Sequence, residues 1–296
     1  MKTKKILSVI VAVAMLASVF AATPAMAKSK SKSKSGPMFV KSVAYYSVDS
    51  DTNKWKLRSN TKYFYNKQND PQKVVELSYS GDSKSVTTNK FKYKKKKKRV
   101  LMKAFNDVNR YFQLTKYNAK GKATKVNSWN REKNYKTYRT YAYDKAGFVK
   151  KFVTKYTDTY KDFEGKKKTF SGKTEYTYKT TYKKGLPKKI EATRKEDNVA
   201  SNYKYITTFN AKGQPTKVER QYQNDTPETR YTYKYKYKKG RVVSAVEYSY
   251  SYDGKKTPEA KYVFKYTKAK TNKKNYASMI NNMLDLGSAY AEFLWY

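Results

Sequence analysis

The sequence has no cysteine and no histidine among its 296 residues. The lack of cysteine excludes disulfides, thiolate nucleophiles and cysteine-based zinc sites. The lack of histidine excludes imidazole-dependent serine triads and histidine metal sites. Acidic residues are scarce as well, because 23 Asp and Glu stand against 67 Lys and Arg, which gives a formal net charge of +44. We therefore expect a protein that is not an enzyme, holds no metal or cofactor, and has anionic partners.

The first 27 residues have the parts of a secretory signal peptide. Lys2, Lys4 and Lys5 form a positive start, and residues 6–22 are uncharged and mostly apolar. Ala25-Met26-Ala27 then supplies the small residues that a signal peptidase accepts. We predict cleavage after Ala27 and a secreted protein that is extracellular or associated with the cell envelope. An uncleaved membrane anchor is the alternative, because the apolar stretch is close to the length that spans a bilayer.

Two segments flank the main part of the chain. Residues 28–37 alternate Lys with Ser and end in Gly36-Pro37. Such a tract has nothing to bury and repels itself, so it predicts a disordered cationic arm. At the other end, residues 271–296 include a stretch, Asn275–Leu294, whose apolar residues recur at helical spacing. We predict an amphipathic helix there that packs on the sheet formed by the rest of the chain.

Residues 38–270 have the period of β-strands. In Tyr231–Lys238, tyrosines alternate strictly with Thr or Lys, which places the tyrosines on one face of a strand. The same alternation recurs along the segment, and Tyr, Thr and Val suit a pleated, half-buried surface. We predict about sixteen strands in an all-β fold, a long antiparallel β-meander of repeated hairpins forming an open twisted or curled sheet.

The predicted strands are joined by a repeating turn. Residues 117–121, 143–147 and 209–213 each contain an aromatic residue, then Asn or Asp, two variable residues and Gly. The Asn or Asp side chain bonds its own backbone to open the turn, and Gly takes the left-handed conformation that closes it. Units of this size, repeated along the chain, indicate a repeat protein.

The unit Tyr143-Asp144-Lys145-Ala146-Gly147 resembles the YD (Rhs-type) repeats of bacterial surface and secreted proteins. The resemblance extends over about residues 60–270. It implies a long antiparallel β-meander exposed outside the cell.

Two sets of residues are candidates for binding. Lys outnumbers Arg by 58 to 9, and lysine acts as a point charge, so a polyanion would be held by the electric field with little sequence discrimination. The candidate polyanion-binding residues are Lys94, Lys95, Lys96, Lys97, Lys98, Arg99, Lys234, Lys236 and Lys238. The second set is an aromatic face that either forms the core of the sheet or stacks on ligands, namely Tyr231, Tyr233, Tyr235 and Tyr237.

A glutamate recurs after Val or Ile in several repeats, at Glu76, Glu191, Glu219 and Glu247. We expect these carboxylates to form cross-strand pairs with lysines rather than a catalytic site.

The sequence as a whole predicts a secreted, non-enzymatic protein that binds or structures a surface through its lysine-rich face. Its expected partners are anionic polymers or the cell envelope, for example teichoic acid, extracellular DNA, lipopolysaccharide or an acidic glycan. A polysaccharide-binding module that uses the tyrosine face is the first alternative. An outer-membrane β-barrel is the second.

Overall fold

The computed structural model describes residues 38–66, 71–81, 83–96, 99–106, 111–118 and 123–268. The predicted signal peptide, the Lys/Ser arm and the predicted C-terminal helix lie outside these residues. The described residues form sixteen β-strands: β1 Met38–Val48, β2 Trp55–Tyr65, β3 Pro71–Ser80, β4 Ser83–Lys96, β5 Arg99–Asn106, β6 Tyr111–Tyr117, β7 Ala123–Trp129, β8 Tyr135–Tyr143, β9 Val149–Lys161, β10 Lys167–Lys183, β11 Leu186–Glu196, β12 Val199–Phe209, β13 Pro215–Tyr222, β14 Glu228–Lys238, β15 Arg241–Tyr250 and β16 Lys256–Lys268.

Each strand pairs with the next in antiparallel fashion, so the predicted all-β meander of hairpins is confirmed. The sequence predicted an open twisted or curled sheet, whereas the sheet in the structure curls until its first and last strands meet. β1 pairs with β16 from Met38↔Lys268 to Ser47↔Ala260, and the sixteen strands form a closed barrel. Closure removes the two unpaired edges that an open sheet of this width would expose.

In the described part of the chain, no helix is long and apolar enough to cross a membrane.

Two clusters of apolar and aromatic side chains are buried in the barrel, which also buries polar residues such as Glu76, Thr207 and Gln214. One cluster of buried residues comes from β7 to β14 and includes Val126, Phe152 and Val218. A second comes from β1 to β3 with β15 and β16, and its Val43 and Ala245 have no exposed surface. Phe91 on β4 packs against both clusters. Side chains from strands that are not adjacent in the sheet therefore meet inside the barrel.

The repeated turn forms as the sequence predicts. The Asp144 carboxylate accepts a hydrogen bond from the Phe148 amide at 2.9 Å, and the Gly147 amide donates to the Asp144 carbonyl at 3.1 Å. Gly147 has φ +88°, in the left-handed region. The turn at Asn210 repeats these bonds, with Gly213 at φ +74°.

Replacing Gly147 by Val should destabilise the protein, because a β-branched residue resists positive φ. We expect a loss of about 1–2 kcal/mol in the free energy of unfolding, measured by urea denaturation. Ala146→Val is the matched control, since Ala146 lies in the same turn without positive φ. Equal stability of the two variants would contradict the turn geometry.

Tyrosine hydroxyls donate hydrogen bonds to backbone carbonyls at bulges near the ends of four strands. Tyr65 donates to the Val40 carbonyl, Tyr143 to Ala123 and Tyr235 to Pro215, each at 2.6 Å. Tyr266 donates to the Val242 carbonyl at 2.7 Å. In all four cases the strand register shifts beside the accepting residue. The phenol thus keeps a hydrogen bond while its ring packs against the core, which explains the choice of tyrosine at these positions.

Candidate functional site

The inner and outer faces of the barrel carry different kinds of side chain. On β14, Tyr233 is buried in the core, whereas Lys234, Lys236 and Lys238 are exposed. The outward-facing side of the strands, which we call the outer wall, is thus where these three predicted polyanion-binding residues lie. Successive residues of a strand point to opposite faces, so a strict Tyr/Lys alternation produces this division.

Most of the predicted aromatic face is not available to a ligand. Tyr233 is 6% exposed, and Tyr231 and Tyr235 pack against the core. Tyr237, at the end of the strand, is 39% exposed. The alternative in which these four tyrosines form an open binding track is therefore wrong for the first three. Their aromatic area stabilises the interior of the barrel instead.

The densest lysine run lies at the end of the β4–β5 hairpin. Lys94 pairs with Leu101, Lys95 with Val100, and Lys96 with Arg99 in the register of the two strands. Lys97 and Lys98 lie outside the described residues.

Alternate turns of an antiparallel meander lie at the same end of the barrel. The turns after β8, β10, β12 and β14 share one end with the β4–β5 hairpin, and we call this end the lysine end. Its four described turns carry Lys145, Lys184, Lys212 and Lys239, and Asp144 is the one acidic residue in them. The turns at the opposite end carry most of the acidic turn residues, including Asp49, Asp162, Asp197, Asp225 and Asp253.

Aromatic side chains support the lysine end. The Lys212 amine lies 3.7 Å from the centroid of the Tyr237 ring, a cation–π contact. The Tyr182 hydroxyl donates a hydrogen bond to the Asp144 carboxylate. The rings of Phe148 and Tyr182 lie 5.4 Å apart. The aromatic rings of Tyr182, Tyr237 and Phe148 thus pack beside the charged turns of the lysine end.

The four recurring glutamates divide between the two faces. Glu191 pairs with Lys189 at 2.6 Å and Glu219 with Lys217 at 2.7 Å, both on the outer wall. These lysines are two residues earlier on the same strand, whereas the sequence predicted cross-strand partners. The cause is geometric, because residues i and i+2 of a strand share a face.

Glu76 and Glu247 instead point into the core, so the predicted lysine pairing is wrong for them. Burial raises the pKa of Glu76 to about 7. Burial, with a contribution from the charge of Glu259, raises the pKa of Glu247 to about 8.

A groove on the outer wall of β6 to β9 contains residues that the sequence did not single out. A cavity of about 610 Å³ is lined by Asn127, Trp129, Lys136, Tyr138, Lys155 and Thr157, among others. A smaller cavity of about 110 Å³ shares Asn127 and Tyr138 and adds Leu114, Lys116 and Lys125. A signal was available in the sequence, since Tyr138 is out of phase with Tyr141 and Tyr143 on the same strand. Nothing in the sequence alone showed that its phase is the outward one.

Within the described residues, no group of three Asp or Glu side chains is placed to hold a metal ion.

No family model matches the sequence, and no curated protein matches it. Among solved structures, the chain is similar to a porin-like protein from Bacteroides uniformis, with a TM-score of 0.51 and 12% identity over 77% of this chain and 98% of that one. A porin-like protein from Bacteroides vulgatus matches with a TM-score of 0.25 and 11% identity over 77% of this chain and 98% of that one. At 12% identity, the first likeness shows that the two chains share a fold: a β-meander of many antiparallel strands.

Proposed function

We propose that this protein is an exported, non-enzymatic protein of the cell surface or extracellular space, which binds polyanions through its outer wall and its lysine end. The observation that carries the proposal is the distribution of charge: lysines outnumber acidic residues on the outer wall and at the lysine end, while the opposite turns carry most of the acidic turn residues. A surface of one sign raises the local concentration of oppositely charged polymers. Teichoic acid, extracellular DNA, lipopolysaccharide and acidic glycans all have the required charge.

The residue type favours field-driven binding over recognition of particular groups. Lysine is a compact, strongly hydrated charge on a flexible stem, and it does not impose the paired geometry of arginine. Lys234, Lys236 and Lys238 stand in line along β14, so a linear polymer lying on the outer wall would contact them in turn. We therefore expect one binding mode to serve several polyanions.

The outer wall also argues against placing this barrel in lipid. Middle positions of the strands carry outward-facing charges, such as Lys151 and Lys155 on β9 and Lys261 and Lys265 on β16. A lysine on the lipid-facing side of a membrane barrel costs about 2–4 kcal/mol at the bilayer midplane. Apolar and aromatic clusters occupy the interior, whereas the interior of a water-filled pore is polar. These two features favour a barrel that works in water over the outer-membrane alternative.

Binding to duplex DNA of random sequence tests the proposal. We expect the logarithm of the association constant to fall linearly with the logarithm of salt concentration, because counterions are released. Replacing Lys234, Lys236 and Lys238 with Gln should weaken binding to all sequences alike and make this slope less steep by up to about 3, at about 0.9 for each phosphate contact. Fluorescence anisotropy at several salt concentrations gives the slope.

Two further variants complete this test. Gln at Lys145, Lys184, Lys212 and Lys239 measures the share of the lysine end in the same way. Tyr237→Phe keeps the charge of β14 and should leave the slope unchanged. An affinity that does not depend on salt, or the absence of binding to duplex DNA and to polyphosphate alike, would contradict the proposal.

A further inference from the structure

We propose that the groove on β6 to β9 is a binding site for an acidic polysaccharide, whose sugar rings pack on Tyr138 and Trp129 and whose acid groups pair with the surrounding lysines. This inference deepens the proposed function, on which it rests for the location of the protein outside the cell. The groove defines one site and one class of ligand, whereas the charge of the outer wall by itself defines neither.

The strand register assembles the groove from three neighbouring strands. Asn127 on β7 is paired with Tyr138 on β8, which is paired with Lys155 on β9. In the adjacent row, Trp129 is paired with Lys136, and Lys136 with Thr157. Each aromatic ring therefore has a lysine as its direct cross-strand neighbour, at about 5 Å between Cβ atoms.

Other aromatic rings are exposed elsewhere, for example Phe64 and Tyr160, but Tyr138 and Trp129 line a cavity together with lysines. Tyr138 is 37% exposed, although its strand buries Tyr141 in the core. The ring of Phe112 stacks beside Trp129, with centroids 6.1 Å apart and planes inclined by 13°. Tyr138 and the part-buried Trp129 keep some ring surface in contact with water, so a ligand that covers this surface gains apolar contact.

The groove also has the charge and polar groups that an acidic sugar requires. Lys136, Lys155, Lys116 and Lys125 line its two cavities, and no acidic side chain lines either one among the described residues. Asn127 and Thr157 add an amide and a hydroxyl to the lining of the larger cavity, and both kinds of group hydrogen-bond to sugar hydroxyls.

These features together favour a polysaccharide over the other polymers. A cavity of about 610 Å³ lies within the usual range for small-molecule sites and accommodates sugar rings. Single-stranded nucleic acid also stacks on aromatic rings, but that mode needs only rings and positive charge. The Asn127 amide and the Thr157 hydroxyl add hydrogen-bonding groups between the charges, and these match a ligand with many hydroxyls. Duplex DNA has its bases enclosed and has no ring to offer Tyr138.

Binding to polygalacturonate, measured by isothermal titration calorimetry on the full purified chain, tests the inference. Tyr138→Ala and Trp129→Ala should each weaken polygalacturonate binding about tenfold, the scale of losing one stacked ring, and leave duplex DNA binding unchanged. Tyr160→Ala removes a tyrosine that is 50% exposed outside the groove and should change neither. Far-UV circular dichroism confirms that each variant keeps its β-structure.

A charge-matched pair of variants separates the groove from the general field. Lys136→Gln with Lys155→Gln should weaken polygalacturonate binding more than Lys234→Gln with Lys236→Gln, although both remove two charges. The inference is wrong if polygalacturonate does not bind, if the aromatic variants bind it like the parent, or if Tyr138→Ala weakens oligo(dT) binding as strongly. Failure of the polyanion proposal shows separately, as loss of the salt-dependent binding to duplex DNA.

Discussion

Cysteines placed at Ala44 and Val263 should oxidise to an intramolecular disulfide that stabilises the protein by about 5 kcal/mol. The two residues are directly paired across β1 and β16, at the closure of the barrel. Opposite residues of paired strands have Cβ atoms about 4.5–5.5 Å apart, which is close to disulfide geometry. The chain has no other cysteine, so no competing disulfide can form within it. The predicted gain is large because the bond closes a loop of about 220 residues.

Urea denaturation of the oxidised and reduced forms of this variant measures the gain, and a non-reducing gel shows whether the bond is intramolecular. The matched control pairs Ala44→Cys with Ser244→Cys. Ser244 is paired with Val263 from the other side, so it lies two strands from Ala44. That separation is about 10 Å, beyond the reach of a disulfide. Equal cross-linking of the two variants, or cross-linking of neither, would show that β1 and β16 do not pair as described.

Glu247→Gln should remove a penalty that the folded protein bears at alkaline pH. The pKa of Glu247 is raised to about 8 in the folded state from its ordinary value near 4.5. Between these values the folded state holds a proton that the unfolded state has released, so the free energy of unfolding decreases as pH rises. The decrease is about 1.4 kcal/mol per pH unit for one group. We expect the free energy of unfolding of the Gln variant to exceed that of the parent by about 4 kcal/mol at pH 8 and by up to about 5 kcal/mol above it.

The surroundings of Glu247 explain the direction. Its neighbours in the core are tyrosines, among them Tyr233, and the nearby charge of Glu259 is also negative. A neutral amide of nearly the same shape removes the buried charge. Glu76 also lowers the free energy of unfolding as pH rises to about 7, in the parent and the variant alike. The slopes of the two profiles therefore differ most clearly between pH 7 and pH 8, where only the parent still loses stability.

Urea denaturation from pH 4 to pH 9 gives the two profiles. Glu191→Gln is the control with the opposite sign, because its hydrogen bond from Lys189 lowers the pKa of Glu191. The stability that Glu191 contributes is lost only as pH falls through acidic values, so above pH 5 this variant should follow the slope of the parent. A parallel profile for Glu247→Gln would mean that this carboxylate reaches water in the folded protein.

The candidate binding residues were predictable only in part. The lysines of β14 follow from alternation, because a strand that buries Tyr233 must expose Lys234 and Lys236. The outward orientation of Tyr138 and Trp129 could not be predicted, because the phase of a single aromatic residue is uninformative until the inward face of its strand is known. The groove further depends on β6, β7, β8 and β9 standing side by side in one register, which brings together residues distant in the chain.

The sequence by itself determined the strands, the hairpin turns and the division of each strand into a tyrosine side and a lysine side. These are local properties: the period of a strand is two, and an Asx residue followed by glycine closes a turn wherever it occurs. The tertiary structure alone decided which side faces inward, where Glu76 and Glu247 point, and that β1 meets β16. Those outcomes depend on bulges that shift the phase of a strand by one residue. They also depend on whether the free energy gained by burying the apolar face outweighs the entropic cost of bringing β1 and β16 together. Both quantities are properties of the whole chain, so no short segment of sequence determines them.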